Sequence, residues 1–156
     1  MEIPNQILNE TDTLFLDRDG VVNVWLPGDY VKSWEEFRFN DGFLDFIGRY
    51  SKCFKHIFIV TNQRGVGKGL MTMQQLEDIH ARMTQAISDA GGRIDRIYLC
   101  TATSDSDPMR KPNPGMAIQA MKDYPDIRME RSLMIGDQPS DRIFADNCGM
   151  RFMIWQ

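Results

Sequence analysis

The sequence predicts a single α/β domain over residues 1–156, built on a mainly parallel sheet. Three observations carry this. Short apolar runs recur at Thr13–Leu16, His56–Val60, Ile94–Cys100, Leu133–Ile135 and Phe152–Ile154; segments of helical period lie between them; and several runs stop abruptly at polar groups, at Asp17 and Asp19, Thr61 and Asn62, and Asp137. Strands alternating with helices pair in parallel through crossovers. In such sheets ligands bind in the crevice beyond the carboxyl ends of the strands.

The first run is bounded by Asp12 and Gly20 and is too short for a helix, so it reads as a buried strand. Alternation along an extended chain sends Asp17 and Asp19 to one side and points Arg18 away. Two like charges so close are costly unless a cation or a shared proton relieves them, which suggests a metal site or an acid/base pair. The plainer alternative is a turn in which Asp19-Gly20 only ends the strand.

Val22 to Phe39 is rich in aromatics (Trp25, Tyr30, Trp34, Phe37, Phe39) and is too long for a plain connection. It reads either as a lid or substrate loop or as a cover for the sheet edge. Asp41 to about Lys52 is expected to be helical, with Phe43, Leu44, Phe46 and Ile47 inward. After the second strand, Arg64 to Gly69 superficially resembles a phosphate-binding P-loop. It fails that pattern, because Asn62 stands at the first glycine position and Gly69 where Ser or Thr must reach magnesium. Thr72 and Gln75 form a predicted capping box for a helix with Leu76, Ile79, Met83 and Ile87 on one face, ended by Gly91-Gly92. Thr101 to Met109 is a polar loop. Asn113-Pro114 is expected to open a helix with proline at its first position, carrying Met116, Ala117, Ala120 and Met121. A short helix through Asp141 to Cys148 stops at Gly149.

A net charge of -4 argues against a general nucleic-acid or anionic-membrane binder. No apolar run reaches the length of a membrane span, and Met1-Glu2-Ile3-Pro4-Asn5 lacks the character of a signal peptide, so a cytoplasmic protein is expected. Cys53, Cys100 and Cys148 form no CxxC pair and read as reduced, mostly buried thiols. His56 and His80 suit a strand start and a helix face, and both read as structural.

If the sheet is parallel, Asp17, Asp19, Thr61, Asn62, Asp137 and Asp141 converge on one edge, and Lys111, just before a helix start, can reach it. Carboxylates bind magnesium, while lysine, hydroxyl and backbone amides bind phosphate, so phosphoryl transfer is the natural chemistry of such a set.

Asp17-Arg18-Asp19-Gly20-Val21-Val22-Asn23, Thr61-Asn62-Gln63, Arg110-Lys111-Pro112-x-Pro114-Gly115 and Gly136-Asp137-x-x-x-Asp141 resemble, in order and spacing, the four motifs of the haloacid-dehalogenase-like phosphatases. From Leu14 to Ile154 the chain resembles the small branch containing D-glycero-D-manno-heptose 1,7-bisphosphate phosphatase and the histidinol-phosphate phosphatase domain. The resemblance implies a Rossmann-like three-layer sandwich without a large cap. It implies that Asp17 is the nucleophile, forming an aspartyl phosphate, and that Asp19 is the general acid and base. Thr61, Asn62 and Lys111 would hold the phosphate, and Gln63, Arg64 and Arg110 at the entrance would grip the rest of the substrate. Mg2+ would sit on Asp17, Asp137 and the backbone carbonyl of Asp19, with Asp141 orienting Lys111 or a metal-bound water.

Members of this branch usually carry a zinc loop, Cys-x-His and then Cys-x-Cys, before the Arg-Lys-Pro motif. Here only Cys100 remains and Ala102 stands at the histidine position, so no structural zinc is expected. The expected function is Mg2+-dependent hydrolysis of a small phosphorylated metabolite by a monomeric chain. A sugar or heptose bisphosphate leads and histidinol phosphate is second. A phosphatase acting on nucleic-acid ends is a related possibility that the acidic balance disfavours, and a regulatory domain merely phosphorylated at Asp17 would not need Asp19.

Overall fold

A computed structural model describes residues 1–156. Strands β1 (Thr13–Leu16), β2 (His56–Asn62), β3 (Arg96–Cys100), β4 (Ser132–Gly136) and β5 (Arg151–Ile154) form one sheet in the order β3-β2-β1-β4-β5. Every neighbouring pair is parallel, with Thr13 opposite His56 on one flank and Ser132 on the other. The chain winds outward from β1 to β3, returns, and winds outward again through β4 and β5. The direction therefore switches between β1 and β4, and a crevice opens beyond their carboxyl ends.

Both faces of the sheet are covered, which explains why its strands read as continuous apolar runs. Leu14, Leu16, Ile57, Ile59, Leu133 and Ile135 point into one core, under α2 (Phe43–Tyr50) and α4 (Met73–Asp89). Phe15, Phe58, Val60 and Met134 point into the other, under α5 (Gly115–Asp123) and α6 (Pro139–Cys148). Leu76, Ile79, Met83 and Ile87 of α4 are all buried, and the Thr72–Gln75 capping box forms in both directions. Gly149 closes α6 in the left-handed conformation expected of a C-terminal glycine.

Several boundaries differ from expectation. α2 begins at Phe43 rather than Asp41, because Gly42 has φ +78°, and it passes into a 3-10 turn at Ser51–Cys53. β2 runs on through Thr61 and Asn62. β3 starts at Arg96 rather than Ile94. Pro114 caps α5 instead of forming its first residue, held in a turn in which Asn113 donates to the carbonyls of Asp105 and Asp107 at 3.0 and 2.9 Å. Arg64–Gly67, expected as loop, forms one helical turn, α3. An additional helix, α1 (Asn5–Glu10), precedes β1. The segment after β1 divides between its two readings: Trp34, Phe37 and Phe39 pack against one another, and Phe39 stacks on Phe43, with ring centroids 5.0–6.4 Å apart, whereas Trp25 is half exposed and lines a cavity.

Candidate active site

The site is built at the switch between β1 and β4. Asp17 continues the β1 ladder by donating its backbone N–H to the Ile135 carbonyl at 3.0 Å, which fixes its carboxylate at the mouth of the crevice. Gly20 then turns the chain with φ +97°. A Cβ there would lie 2.1 Å from Asp137 Oδ2, so only glycine lets this turn pass the end of β4. Lys111 arrives from the other side of the molecule, docked by a reciprocal pair: its N–H donates to Asn62 Oδ1 and its carbonyl accepts from Asn62 Nδ2, both at 3.0 Å.

Lys111 Nζ lies 2.7 Å from Asp17 Oδ1 and 2.9 Å from Asp141 Oδ1, and all three residues are buried. Burial pushes Asp17 up to about 8, with the Asp141 and Asp19 charges adding to it and Lys111 opposing it. Burial also opposes the charge on Lys111, but the two carboxylates outweigh it and raise its pKa, so the ammonium persists. Asp141 additionally accepts from the N–H groups of Asp137 and Gln138. Carboxylate oxygens of Asp17, Asp137 and Asp141 lie within 4.8 Å of one another, with Lys111 the single cation among them, and Asp137 Oδ1 is buried without a partner. Hard, crowded, undercompensated oxygens of this kind fit a divalent cation such as Mg2+. Asp19 contributes no carboxylate to this cluster.

The Asp19 carboxylate is instead enclosed by donors. Its Oδ1 accepts from Arg18 at 2.9 Å and from Asn23 at 2.9 Å, and its Oδ2 accepts from Gln63 Nε2 at 3.0 Å. Burial alone would raise its pKa, but the guanidinium and the two amides outweigh this and hold it below the ordinary carboxylate value. Arg18 was expected to point away from this group and does not. β1 ends at Leu16, so strand alternation no longer governs residue 18, and the guanidinium turns back to pair with Asp19.

The structure brings Asp17, Asp19, Asn62, Arg110 and Lys111 around one cavity of about 250 Å3, together with Trp25, Gln138, Ser140 and Asp141. A smaller cavity shares Asp19, Trp25 and Asn62 and is otherwise lined by Arg18, Leu26, Asp29, Tyr30, Val31 and Gln63. Thr61 is fully buried, and its hydroxyl accepts from Gln63 at 2.8 Å. Gln63, expected at the entrance, is itself buried, its amide committed to Asp19 and Thr61. Arg64 does not line the larger cavity. Both it and Arg110 reach the exposed carboxylate of Asp105, at 2.7 and 3.0 Å. Cys100 Sγ lies 3.8 Å from Asp107 Oδ1, which also accepts from the Met109 N–H and so closes the 101–109 loop. Asn23 and Arg18 had no assigned role in the sequence, whereas Trp25 belongs to the aromatic segment read as a lid, a substrate loop or an edge cover.

A family profile described as polynucleotide kinase 3 phosphatase matches residues 29–156. The chain is 36% identical to D-glycero-alpha-D-manno-heptose-1,7-bisphosphate 7-phosphatase of Mycobacterium bovis, over 86% of this chain and 71% of that protein. It is 31% identical to the D-glycero-beta-D-manno-heptose-1,7-bisphosphate 7-phosphatase of Helicobacter pylori, over 92% and 83%. The chain belongs to the haloacid-dehalogenase-like phosphatases, in the heptose-bisphosphate phosphatase branch. A crystal structure of D,D-heptose 1,7-bisphosphate phosphatase from B. bronchiseptica, complexed with magnesium and phosphate, superposes with a TM-score of 0.84 at 32% identity, over 91% of this phosphatase and 79% of that chain. The present phosphatase is thus a phosphoric monoester hydrolase with the sheet and helices of its relatives. None of its helices is long and apolar enough to cross a membrane.

Proposed function

We propose that this phosphatase removes the 7-phosphate of a heptose 1,7-bisphosphate through an aspartyl phosphate on Asp17. The observation that carries the reading is the placement of Lys111 between Asp17 and Asp141 at the β1–β4 switch, with the separately clamped Asp19 beside it. Asp17, Asp137 and the Asp19 carbonyl, with Asp141 nearby, would hold Mg2+, which when bound offsets the charge of phosphate and nucleophile.

Lys111 holds Asp17 Oδ1, leaving Oδ2 to attack phosphorus. As the Oδ2–P bond forms, the P–O bond to the sugar breaks, and Asp19 Oδ2 delivers a proton to the departing oxygen. An incoming phosphate dianion favours that proton on Asp19, since a neighbouring like charge raises a carboxyl pKa. Asp19, now ionised, takes a proton from water as the water oxygen attacks the acyl phosphate. Inorganic phosphate leaves and Asp17 is restored. Lys111 would bind the phosphoryl oxygens, Thr61 would act from behind the cavity by holding the Gln63 amide, and Asn62 would act by docking Lys111. Arg110 at the cavity rim, with Arg64 joined to it through Asp105, would meet the distal phosphate, and Trp25 would meet the sugar.

The experiment is phosphate release from the α and β anomers of heptose 1,7-bisphosphate, histidinol phosphate, a 3′-phosphorylated oligonucleotide and an aryl phosphate, with Mg2+ and then with EDTA. Metal-dependent turnover of a heptose bisphosphate far above the others is expected. Preference for the oligonucleotide, the substrate suggested by the matching profile's description, would replace the reading, and no hydrolysis at all would remove it.

A further inference from the structure

His80 lies on α4, outside both cavities, and has no part in the steps above. Its environment is nonetheless specific. Arg18, the largest fully buried side chain of the protein, places NH1 3.1 Å from His80 Nε2 and NH2 2.9 Å from Asp19 Oδ1. Its Nε is buried and has no partner, so these two bonds are what satisfies the guanidinium. A guanidinium only donates. Nε2 must therefore be the acceptor, and His80 must be the neutral tautomer with hydrogen on Nδ1. Burial, with Arg18 adding to it, pushes the imidazole down to about 3, so it stays neutral at any working pH.

This histidine thus fixes the plane of the guanidinium from behind. A buried arginine held at one end only can rotate about its last bonds, whereas one held at both ends presents NH2 in a single place. Oδ1 of Asp19 is then fully occupied by Arg18 and Asn23, and Oδ2, held only by the Gln63 amide, is the oxygen free to carry a proton.

We propose that His80 is a positioning residue for proton delivery, acting through Arg18 to lock Asp19 Oδ1 and so assign the catalytic proton to Oδ2. The inference rests on the reading of Asp19 as general acid and extends it to a side chain remote from the substrate. A residue with this role matters where the leaving oxygen needs a proton and is dispensable where it does not.

The test compares kcat/KM, which reports the chain of steps through departure of the leaving group, for a sugar phosphate and for 2,4-dinitrophenyl phosphate, whose leaving group departs as a stable anion. In His80→Leu, which removes the acceptor, kcat/KM for the sugar phosphate is expected to fall about tenfold or more, the lower end of general-acid effects, and that for the dinitrophenyl ester to stay within about twofold. His80→Gln, whose Oε1 can accept from Arg18, is expected to restore the sugar phosphate rate. Equal losses on both esters, or no loss on either, overturn the proposal. Asp19→Asn is the control: if it too slows both esters alike, the general-acid reading itself falls, and the inference with it. A measurement on the unmodified chain stands whether or not His80→Leu folds. 15N NMR of the imidazole is expected to show hydrogen on Nδ1 between pH 6 and 9, and hydrogen on Nε2 overturns the proposal.

Discussion

Asp17 and Asp19 are separated by the single residue Arg18 and occupy opposite electrical surroundings. Around Asp17 the carboxylates of Asp137 and Asp141 crowd in, with Lys111 paired to Asp17 and Asp141 as the single cation, and burial drives the Asp17 pKa up to about 8. Around Asp19 one guanidinium and two amides enclose a single carboxylate whose pKa is lowered. The first corner lacks positive charge, which suits it to a divalent cation. The second is already satisfied by protein groups. Two residues of the same type thus meet opposite partners, and on the proposed mechanism a bound cation keeps Asp17 ionised for attack while the charge of the incoming phosphate lets Asp19 carry a proton despite its donors.

The largest test of this contrast is Asp17→Asn. Turnover is expected to fall by at least about 10^4-fold, since no carboxylate remains to attack, while the melting temperature in EDTA stays the same or rises because a carboxyl whose ionisation burial disfavours is gone. A folded variant with residual turnover above that level would take the nucleophile away from Asp17. Lys111→Met comes next. In the metal-free chain it leaves Asp17 and Asp141 buried without their cation, at a cost of about 3–5 kcal/mol, and denaturant unfolding in EDTA should recover part of that loss when Asp141→Asn is added. A cost near zero would mean that the first corner is not short of positive charge.

Asp19→Asn should reduce turnover of an alkyl phosphate by about 10^2 to 10^4-fold. It should destabilise the chain less than Lys111→Met, because the amide oxygen still accepts from Arg18. The reverse ranking of stabilities would show that the second corner, and not the first, depends on its counter-ion.

The smallest expected effect is a pH dependence of stability. His80 has a folded pKa of about 3, below its unfolded value near 6.5. The unfolded chain therefore binds the extra proton, and the stability from a neutral His80 is complete above pH 6.5 and lost as pH falls toward 3. Between pH 8 and pH 5 this amounts to about 2 kcal/mol, read by unfolding at each pH. Asp17, raised to about 8, contributes with the opposite sign over the same range, so the His80 part is the difference between the curves of the unmodified chain and of His80→Gln, and coincident slopes would show that the imidazole is not held neutral.

The two corners were unequally legible in the sequence. Asp17, Lys111, Asp137 and Asp141 could be placed together because strand ends in a parallel sheet converge, and the apolar runs that make the strands are buried on both faces. The Asp19 corner was less legible. Its clamp depends on a guanidinium that reverses direction once β1 has ended at Leu16, and on a histidine 62 residues away whose partner no local pattern announces. The commitment of Gln63 to Asp19 and Thr61 is likewise a matter of side-chain direction beyond the strand. The helix at Asn5–Glu10 buries no residue and has no side-chain cap, so it lacks both the apolar stripe and the start signal by which the helix at Met73–Asp89 could be found. The turn at Arg64–Gly67 was hidden by its glycines, which disfavour helix in isolation.

The position of β1 at the centre of the sheet also has a consequence for biosynthesis. Thr13 pairs with His56 on one flank and with Ser132 on the other. A chain emerging from the ribosome can complete the first pairing early, but the second must wait until most of the molecule has been made. In the interval the uncharged stretch Thr13–Leu16 keeps an open backbone edge that invites pairing with other chains. Closing so distant a pair is also slow for reasons of chain entropy. Yield in a cell should therefore respond to the speed of translation and to chaperones that shield this edge, even when the finished protein is stable.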